Sequence, residues 1–281
     1  VQYPRPGYTD RNMDTVWQTT AEGQTALRPF AHAPYPHDSR KDGFKGSDRT
    51  YPFAGHYDDS TVGVFIPAGF RPLSRVDFVV HFHGHFNNVS KAMEDFQLRQ
   101  QFAASGLNAV LVVPQGPRDA GDSGCGRLEH ETGAFKALLE EVAAFLRAEG
   151  KTTSTRIGKV ALTAHSGGYK VTGAVLDHGG LTPQITDALL FDATYGSLDQ
   201  FAAWMAGGKG RRLVSIFTQH LAGENVQLMA LMQRRRVPFT VDLESAKMPD
   251  EVVKPRGAHF LHTLDLDHGQ VVAKRDYFAK W

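Results

Sequence analysis

The feature that most constrains the fold is an alternation of short apolar segments with longer amphipathic segments from about residue 61 onward. Several apolar segments are almost free of polar residues, which is typical of strands that are covered on both faces. Strand candidates lie at 61–67, 76–83, 108–115, 159–164, 187–192, 212–218 and 259–266. Helix candidates lie at 91–104, 131–149, 167–178, 197–206, 223–236 and 269–280. This order predicts an α/β fold whose mostly parallel central sheet has helices on both faces.

The chain has 281 residues, 41% of them hydrophobic, which is enough to bury one large core. No linker separates two parts of the sequence, so we predict a single domain with its core in residues 58–281. Residues 1–57 are irregular and rich in Pro, Tyr, Asp and Gly. We expect them to form an N-terminal arm and the first strands, packed on the same domain, with a hairpin around 15–20.

The net charge of the chain is +1, from 31 basic and 30 acidic residues, so we expect no nucleic-acid partner. No stretch approaches the roughly 18 consecutive apolar residues of a membrane-spanning helix. The single cysteine, Cys125, excludes an internal disulfide. The chain begins VQYPRPGY, without an initiator methionine, which favours a secreted or periplasmic protein after removal of a signal peptide.

The segment KVALTAHSGGYKVTGAVL places Ser166 at a sharp junction between a short apolar strand and a helix. The small residues Ala164, Gly167 and Gly168 flank it, as a strained turn close to neighbouring backbone requires. Such a turn would expose the Ser166 hydroxyl at the carboxyl edge of the sheet, where the first amide groups of the helix point at it. The alternative interpretation is a helix-capping serine followed by a flexible Gly-Gly turn.

This segment resembles the G-x-S-x-G nucleophile elbow of the α/β-hydrolase superfamily, with Ala164 in place of the first glycine. The resemblance covers about residues 58–281 and is to serine esterases. It implies a Ser-His-Asp acyl-enzyme mechanism in which Ser166 attacks a carbonyl group and no cofactor is needed. A small-molecule ester is the first expectation for the substrate, and a serine peptidase or amidase is the alternative. A non-catalytic binding protein with this fold is the alternative from another class.

In this superfamily the catalytic acid and then the catalytic histidine follow the serine along the chain. His268, just after the last predicted strand, has the position that the resemblance gives to the histidine, whereas its rival His262 falls in mid-strand. We expect the acid at Asp192, at the end of the strand DALLFD, where a minority of the superfamily carries it. Glu224 is the alternative. It follows the next strand, RLVSIFT, and in most of the superfamily the acid comes after that strand.

The segment HFHGHFNN (81–88) directly follows the apolar run VDFVV, and it first suggests a metal site. Residues i, i+2 and i+4 of a strand share one face, so the histidines His81, His83 and His85 could together bind zinc. The segment partly resembles the H-x-H-x-D-H pattern of metallo-β-lactamase-type hydrolases, but two asparagines stand where the Asp-His pair is needed. A metal-dependent hydrolase is therefore an alternative, and we expect no metal.

The resemblance to lipases and esterases implies a different role for the same segment. These enzymes carry an HG-containing loop after the third strand, which supplies one backbone donor to the oxyanion hole. Gly84 would let the chain approach the substrate closely, and the backbone N–H of His85, or alternatively of Phe86, would be that donor. The N–H of Gly167 would be the other.

Overall fold

A computed structural model of the protein describes residues 16–280. Ten strands of this region form one sheet, and two more form a separate hairpin. The strands of the large sheet are β1 (Gln18–Thr19), β2 (Gly23–Pro29), β5 (Thr61–Pro67), β6 (Val76–Phe82), β7 (Val110–Pro114), β8 (Ile157–His165), β9 (Ile185–Phe191), β10 (Arg212–Phe217), β11 (Phe239–Glu244) and β12 (Gly257–Thr263). The hairpin consists of β3 (Phe44–Lys45) and β4 (Thr50–Tyr51).

Most helices of the described region connect strands of the large sheet. They are α1 (Val89–Asp95), α2 (Leu98–Ala104), α3 (Gly126–His130), α4 (Ala134–Ala148), α5 (Tyr169–His178), α6 (Leu198–Ala206), α7 (Ala222–Arg234) and α8 (Gln270–Ala273). A short 3₁₀ turn, Ser166–Gly168, leads directly into α5. Within residues 16–280, no helix combines the length and the apolar character needed to cross a bilayer.

The strand order in the large sheet is β1-β2-β5-β7-β6-β8-β9-β10-β12-β11. All neighbouring strands from β7 to β11 pair in parallel, and β5 runs antiparallel to both of its neighbours. The carboxyl ends of β6, β8, β9, β10 and β12 therefore meet at one edge of the sheet. The loops that follow these strands contain the residues predicted to act in catalysis, which are His85, Ser166, Gly167, Asp192 and His268.

Apolar side chains fill both sides of the sheet, in two separate clusters. The long helix α4 illustrates how the sequence builds one of them: a single face of the helix buries the residues Phe135, Leu138, Leu139, Val142 and Leu146. The helices α1 and α2 cover the opposite side, with Met93, Leu98 and Phe102 in the second cluster. The predicted α/β class, with a mostly parallel sheet between helices, is confirmed.

Two helix predictions are wrong in their extent. The predicted helix 91–104 is two helices, because Gln97 has φ +50° and interrupts the helical backbone between α1 and α2. The predicted closing helix 269–280 ends at Ala273, since Lys274 is extended and the next two residues, Arg275 and Asp276, have φ +67° and +51°.

The strand of the large sheet that no prediction covered is β11 (Phe239–Glu244). β11 is an edge strand, and four of its six residues are exposed, so its apolar residues form no buried run. β2 lies in the N-terminal region, where we expected the first strands, and it pairs with β5 along its whole length. The hairpin expected around 15–20 is formed by β1 and β2, with Gln18 opposite Thr25, and its turn lies slightly later in the chain. Thr15 lies outside the described residues.

Candidate active site

Ser166 lies at the turn between β8 and the helical segment that begins with its own 3₁₀ turn. Its φ is +52°, a left-handed conformation that a residue with a side chain adopts at a cost. The neighbouring backbone is very close: a Cβ on Gly84 would lie 2.6 Å from Ser166 Cβ, and a Cβ on Gly168 would lie 2.5 Å from the carbonyl oxygen of Phe82. Glycine is therefore required at both positions for this turn to form.

Asp192 is the first residue after β9, and its side chain is fully buried. Its Oδ2 accepts a hydrogen bond from Nδ1 of His268 at 2.7 Å, and its Oδ1 accepts one from the backbone N–H of Thr218 at 2.9 Å. The Thr218 hydroxyl also donates to this carboxylate. Burial raises the pKa of Asp192, but the hydrogen bonds from His268 and Thr218 outweigh burial and hold this pKa below its usual value. The carboxyl group is thus ionised at neutral pH.

His268 contacts His165, the residue that directly precedes Ser166 in the chain. The Nε2 atom of His165 lies 2.8 Å from the backbone carbonyl oxygen of His268, and the centroids of the two rings are 4.7 Å apart. Burial, helped by the nearby His268, lowers the pKa of His165 to about 4, so His165 is neutral at pH 7 and its Nε2–H can donate to that carbonyl. Within residues 16–280, no hydrogen bond joins Ser166 to His268 directly.

The structure adds two residues that the sequence analysis missed, Tyr195 and His220. The Tyr195 hydroxyl lies 2.7 Å from Nε2 of His220, and Nδ1 of His220 lies 2.6 Å from Oγ1 of Thr218 and 3.6 Å from Oδ2 of Asp192. Burial and the Asp192 charge raise the pKa of Tyr195 to about 12, against the opposing effect of the nearby Ser166 hydroxyl. Both residues follow strands, β9 and β10, that end at this edge, which is the signal that could have identified them.

The loop after β6 lies against the Ser166 turn. A Cβ on Gly167 would lie 2.6 Å from Cδ2 of His85, so the His85 ring packs directly on the backbone of Gly167. The backbone N–H of Phe86 donates to the carbonyl of Ala120 at 3.0 Å, and in the described part of the chain the N–H of His85 donates to no other backbone group. The N–H of Gly167 is in the first helical turn, where amide groups have no intrahelical partner.

The histidines of HFHGH bond to three different partners and do not converge. Nδ1 of the fully buried His81 lies 2.8 Å from Oγ1 of Thr163 on the neighbouring strand. Nε2 of His83 accepts from the backbone N–H of Gly116 at 3.0 Å, and Nε2 of His85 lies 2.8 Å from Oγ of Ser123. Burial lowers the pKa of each of the three rings. They therefore brace the loop as neutral groups, in separate hydrogen bonds.

An ion pair from the N-terminal part of the chain holds the loop that contacts His85. Arg40 donates two hydrogen bonds to Asp122, at 2.6 Å and 2.9 Å, and the buried Tyr57 hydroxyl donates a third at 3.2 Å. Burial raises the pKa of Asp122, but Arg40 and the other donors bring it below its usual value. Asp122 also accepts from the N–H of Gly124 at 2.8 Å, so Ser123 is fixed from both sides.

The two sequence-based alternatives, His262 and Glu224, lie outside this network. His262 stacks on Phe217, with a centroid distance of 5.0 Å and an interplanar angle of 1°. Glu224 is in the first turn of α7, where a carboxylate is favoured by the helix dipole. Within residues 16–280, neither side chain hydrogen-bonds to Asp192 or His268.

No protein-family model and no curated protein sequence matches the chain. Solved structures do resemble it. A protein named FAE has 13% identity and a TM-score of 0.54, over 94% of this chain and 89% of that chain. A serine-to-alanine mutant of the feruloyl esterase module from Clostridium thermocellum, complexed with sinapinate, has 13% identity and a TM-score of 0.53, over 94% of each chain. The S-formylglutathione hydrolase FrmB from Staphylococcus aureus has 10% identity and a TM-score of 0.50, over 94% of this chain and all of its own.

These structural neighbours include esterases and serine hydrolases, and they are members of one superfamily. At 10–13% identity the likeness concerns the fold. It agrees with the strand order and with the sharp turn that follows β8. The chain therefore has the fold of the α/β-hydrolase superfamily.

Proposed function

We propose that the protein is a serine hydrolase that cleaves carboxylic esters through an acyl-enzyme intermediate. The observation that carries the proposal is the left-handed backbone of Ser166, φ +52°, at a strand-to-helix turn beside the hydrogen-bonded pair Asp192–His268. A strained serine is stable only where the surrounding structure enforces it, and such strain is concentrated at reactive sites.

In the proposed mechanism, Ser166 Oγ attacks the carbonyl carbon of the ester while Nε2 of His268 takes the hydroxyl proton. Asp192 accepts from Nδ1–H of His268, which keeps Nε2 free to act as the base and stabilises the imidazolium that forms. His268 then returns the proton to the leaving alcohol. In the second half of the reaction a water molecule, activated by the same imidazole, cleaves the acyl-enzyme and releases the acid.

The negative charge on the substrate oxygen needs backbone donors that are already in place. The proposal assigns this role to the N–H groups of Gly167 and His85. The close packing of the His85 ring on Gly167 supports it, and so does the engagement of the Phe86 N–H with Ala120. The ring of His85 is in turn held by Ser123, on the loop that the Arg40–Asp122 pair anchors.

The names of the structural neighbours favour an ester over an amide substrate. One is a feruloyl esterase module and another an S-formylglutathione hydrolase, and the bonds that these names imply are an ester and a thioester, not an amide. A panel of aryl and alkyl esters, with matched amides of the same acids, tests this preference. Faster turnover of the amides would make the protein an amidase on the same residues.

Labelling with a fluorophosphonate probe tests the nucleophile itself. The wild-type protein is expected to be labelled covalently, and Ser166→Ala is expected to be unlabelled although it folds normally by circular dichroism. Ser74→Ala is the matched control, since Ser74 is exposed and precedes β6, at the opposite edge of the sheet, and it is expected to retain labelling. Labelling of Ser166→Ala at the wild-type rate would refute the assignment. A wild-type protein that neither labels nor hydrolyses any ester would be a binding protein with this fold.

A further inference from the structure

Asp192 has a second histidine neighbour, His220, which the hydrolytic mechanism does not use. Nδ1 of His220 lies 3.6 Å from Oδ2 of Asp192, and Nδ1 of His268 lies 2.7 Å from the same oxygen. All three ligand atoms lie within 4.8 Å of one another, and among the described residues this is the one group of three such side chains. In a tetrahedral zinc site with metal–ligand bonds near 2.0–2.1 Å, neighbouring ligand atoms are roughly 3.3 Å apart. The separations of the two Nδ1 atoms from Oδ2 of Asp192, 3.6 Å and 2.7 Å, lie on either side of that value.

The surroundings orient His220 as a metal ligand. Its Nε2 is engaged by the Tyr195 hydroxyl at 2.7 Å, so Nδ1 is the nitrogen that is directed toward Asp192. A hydrogen bond on the other nitrogen fixes the orientation of a histidine ring for binding a metal, and with the ion on Nδ1 the Nε2–H would donate to Tyr195. Nδ1–H at present donates to the neutral Thr218 hydroxyl at 2.6 Å, because that hydroxyl donates to Asp192, and a bound cation would take the place of this proton.

The position of the cluster also allows an ion to enter and to be held. The side chains of His220 and His268 are 47% and 38% exposed, whereas that of Asp192 is fully buried. The two imidazoles are thus open to solvent, and the carboxylate below them carries a charge that water does not screen. Two imidazoles with one carboxylate are a ligand set for zinc and similar transition metals, rather than for magnesium or calcium.

We propose that Asp192, His220 and His268 form a binding site for Zn²⁺, and that the bound ion switches the hydrolase off. The site itself is independent of the proposed function, and only the switching rests on it. A metal on Nδ1 of His268 displaces the proton from that nitrogen to solvent, and Nε2 takes one up in exchange. The imidazole stays neutral, but Nε2 now carries a hydrogen and cannot accept the proton of Ser166. Occupation of the site therefore removes the base without blocking the substrate.

Calorimetric titration of the untagged protein with ZnCl₂ tests the binding. Wild type is expected to bind one ion, and His220→Asn is expected to bind it at least about tenfold more weakly, since even partners of ligands contribute that much. His130→Asn is the matched control, because His130 is 43% exposed and lies 3.9 Å from a carboxylate oxygen of Glu129. It is expected to bind as wild type does. Equal affinity of wild type and His220→Asn, or no binding by wild type, would overturn the proposal.

Hydrolysis of the best ester, measured against ZnCl₂ concentration, tests the switch. Each variant is compared with its own rate without zinc. We expect reversible inhibition of wild type and His130→Asn that a chelator relieves, and at least about tenfold more zinc for half-inhibition of His220→Asn. If the wild-type protein hydrolyses esters and binds zinc but is not inhibited by it, the proposed inhibition by zinc is wrong. One-site binding by a protein that hydrolyses no ester would refute the proposed function and leave the metal site standing.

Discussion

Two buried aspartates lie near opposite ends of β9 and have different surroundings. Asp187, near the start of β9, accepts hydrogen bonds from Arg212 at 2.7 Å and from Arg256 at 2.8 Å. Asp192, just after the end of β9, accepts from His268 and Thr218. Both carboxylates are removed from solvent, with exposed fractions of 6% and 0%, so each needs a compensating partner.

The difference lies in what the partner can do with its proton. Arginine keeps its charge at every ordinary pH, so the pair at Asp187 is permanent and can only hold β9, β10 and the start of β12 together. An imidazole has a second nitrogen that can accept a proton, which a guanidinium lacks, so the pair at Asp192 can take part in proton transfer. The same residue type on one strand therefore serves stability at one edge of the sheet and, in our proposal, reactivity at the other.

Replacing Asp192 with asparagine should show the largest effect on activity. The amide keeps the shape but favours the wrong tautomer of His268, and in a serine protease such a change lowers turnover by roughly 10⁴-fold. Glu224→Gln is the matched control and should stay within about twofold of wild type, because its carboxylate is a helix-dipole partner worth only a few tenths of a kcal/mol. Turnover on the best ester, with folding checked by circular dichroism, decides between them. If Glu224→Gln loses most of its turnover and Asp192→Asn keeps nearly all of it, the catalytic acid is Glu224 and not Asp192.

Replacing Asp187 with asparagine should instead lower stability. It leaves two guanidinium groups facing each other without the carboxylate between them, and breaking a buried pair costs about 3 kcal/mol or more. Turnover per folded molecule should change little. Asp199→Asn is the control, because its pair with Arg235, at 3.5 Å, is exposed and contributes at most about 1 kcal/mol. Urea denaturation measures both variants, and a loss of turnover as large as that of Asp192→Asn would remove the contrast.

Lowering the pH should produce a smaller effect than these substitutions, on the free energy of unfolding. The pKa of Asp192 is held below its usual value in the folded protein, so near pH 4 the unfolded chain binds more protons than the folded one. The stabilisation by the ionised Asp192 is complete above about pH 4 and is lost as the pH falls through the lower folded pKa. As the pH falls below about 4, the free energy of unfolding of wild type should therefore decrease relative to that of Asp192→Asn. Urea denaturation at several acid pH values measures it, and a constant difference would contradict the depressed pKa.

The sequence predicted the frame of the site because strand ends can be recognised locally. Ser166 and His268 each follow a strand candidate and Asp192 ends one, and parallel strands bring their carboxyl ends to one edge. Tyr195 and His220 were missed because their contact with each other depends on how two separate loops fold over that edge. Their spacing in the sequence carries no such information.

The errors in the fold have similar causes. β11 is recognised as a strand only through its pairing with β12, since most of its residues are exposed. The end of the predicted closing helix was placed too late because nothing in the pattern of 269–280 marks Arg275 and Asp276 as left-handed. The conformation of these segments depends more on tertiary contacts than on local propensity, so a prediction from the sequence alone is poor there.

The backbone of Ser166 carries one more consequence, which concerns selection rather than chemistry. A left-handed residue with a side chain costs about 1–2 kcal/mol, and glycine does not incur this cost. Ser166→Gly should therefore make the protein more stable while removing its hydroxyl, whereas Ser166→Ala keeps the strain. If stability alone were selected, glycine would stand at position 166. In our proposal, Ser166 is the place where this chain gives up stability for reactivity.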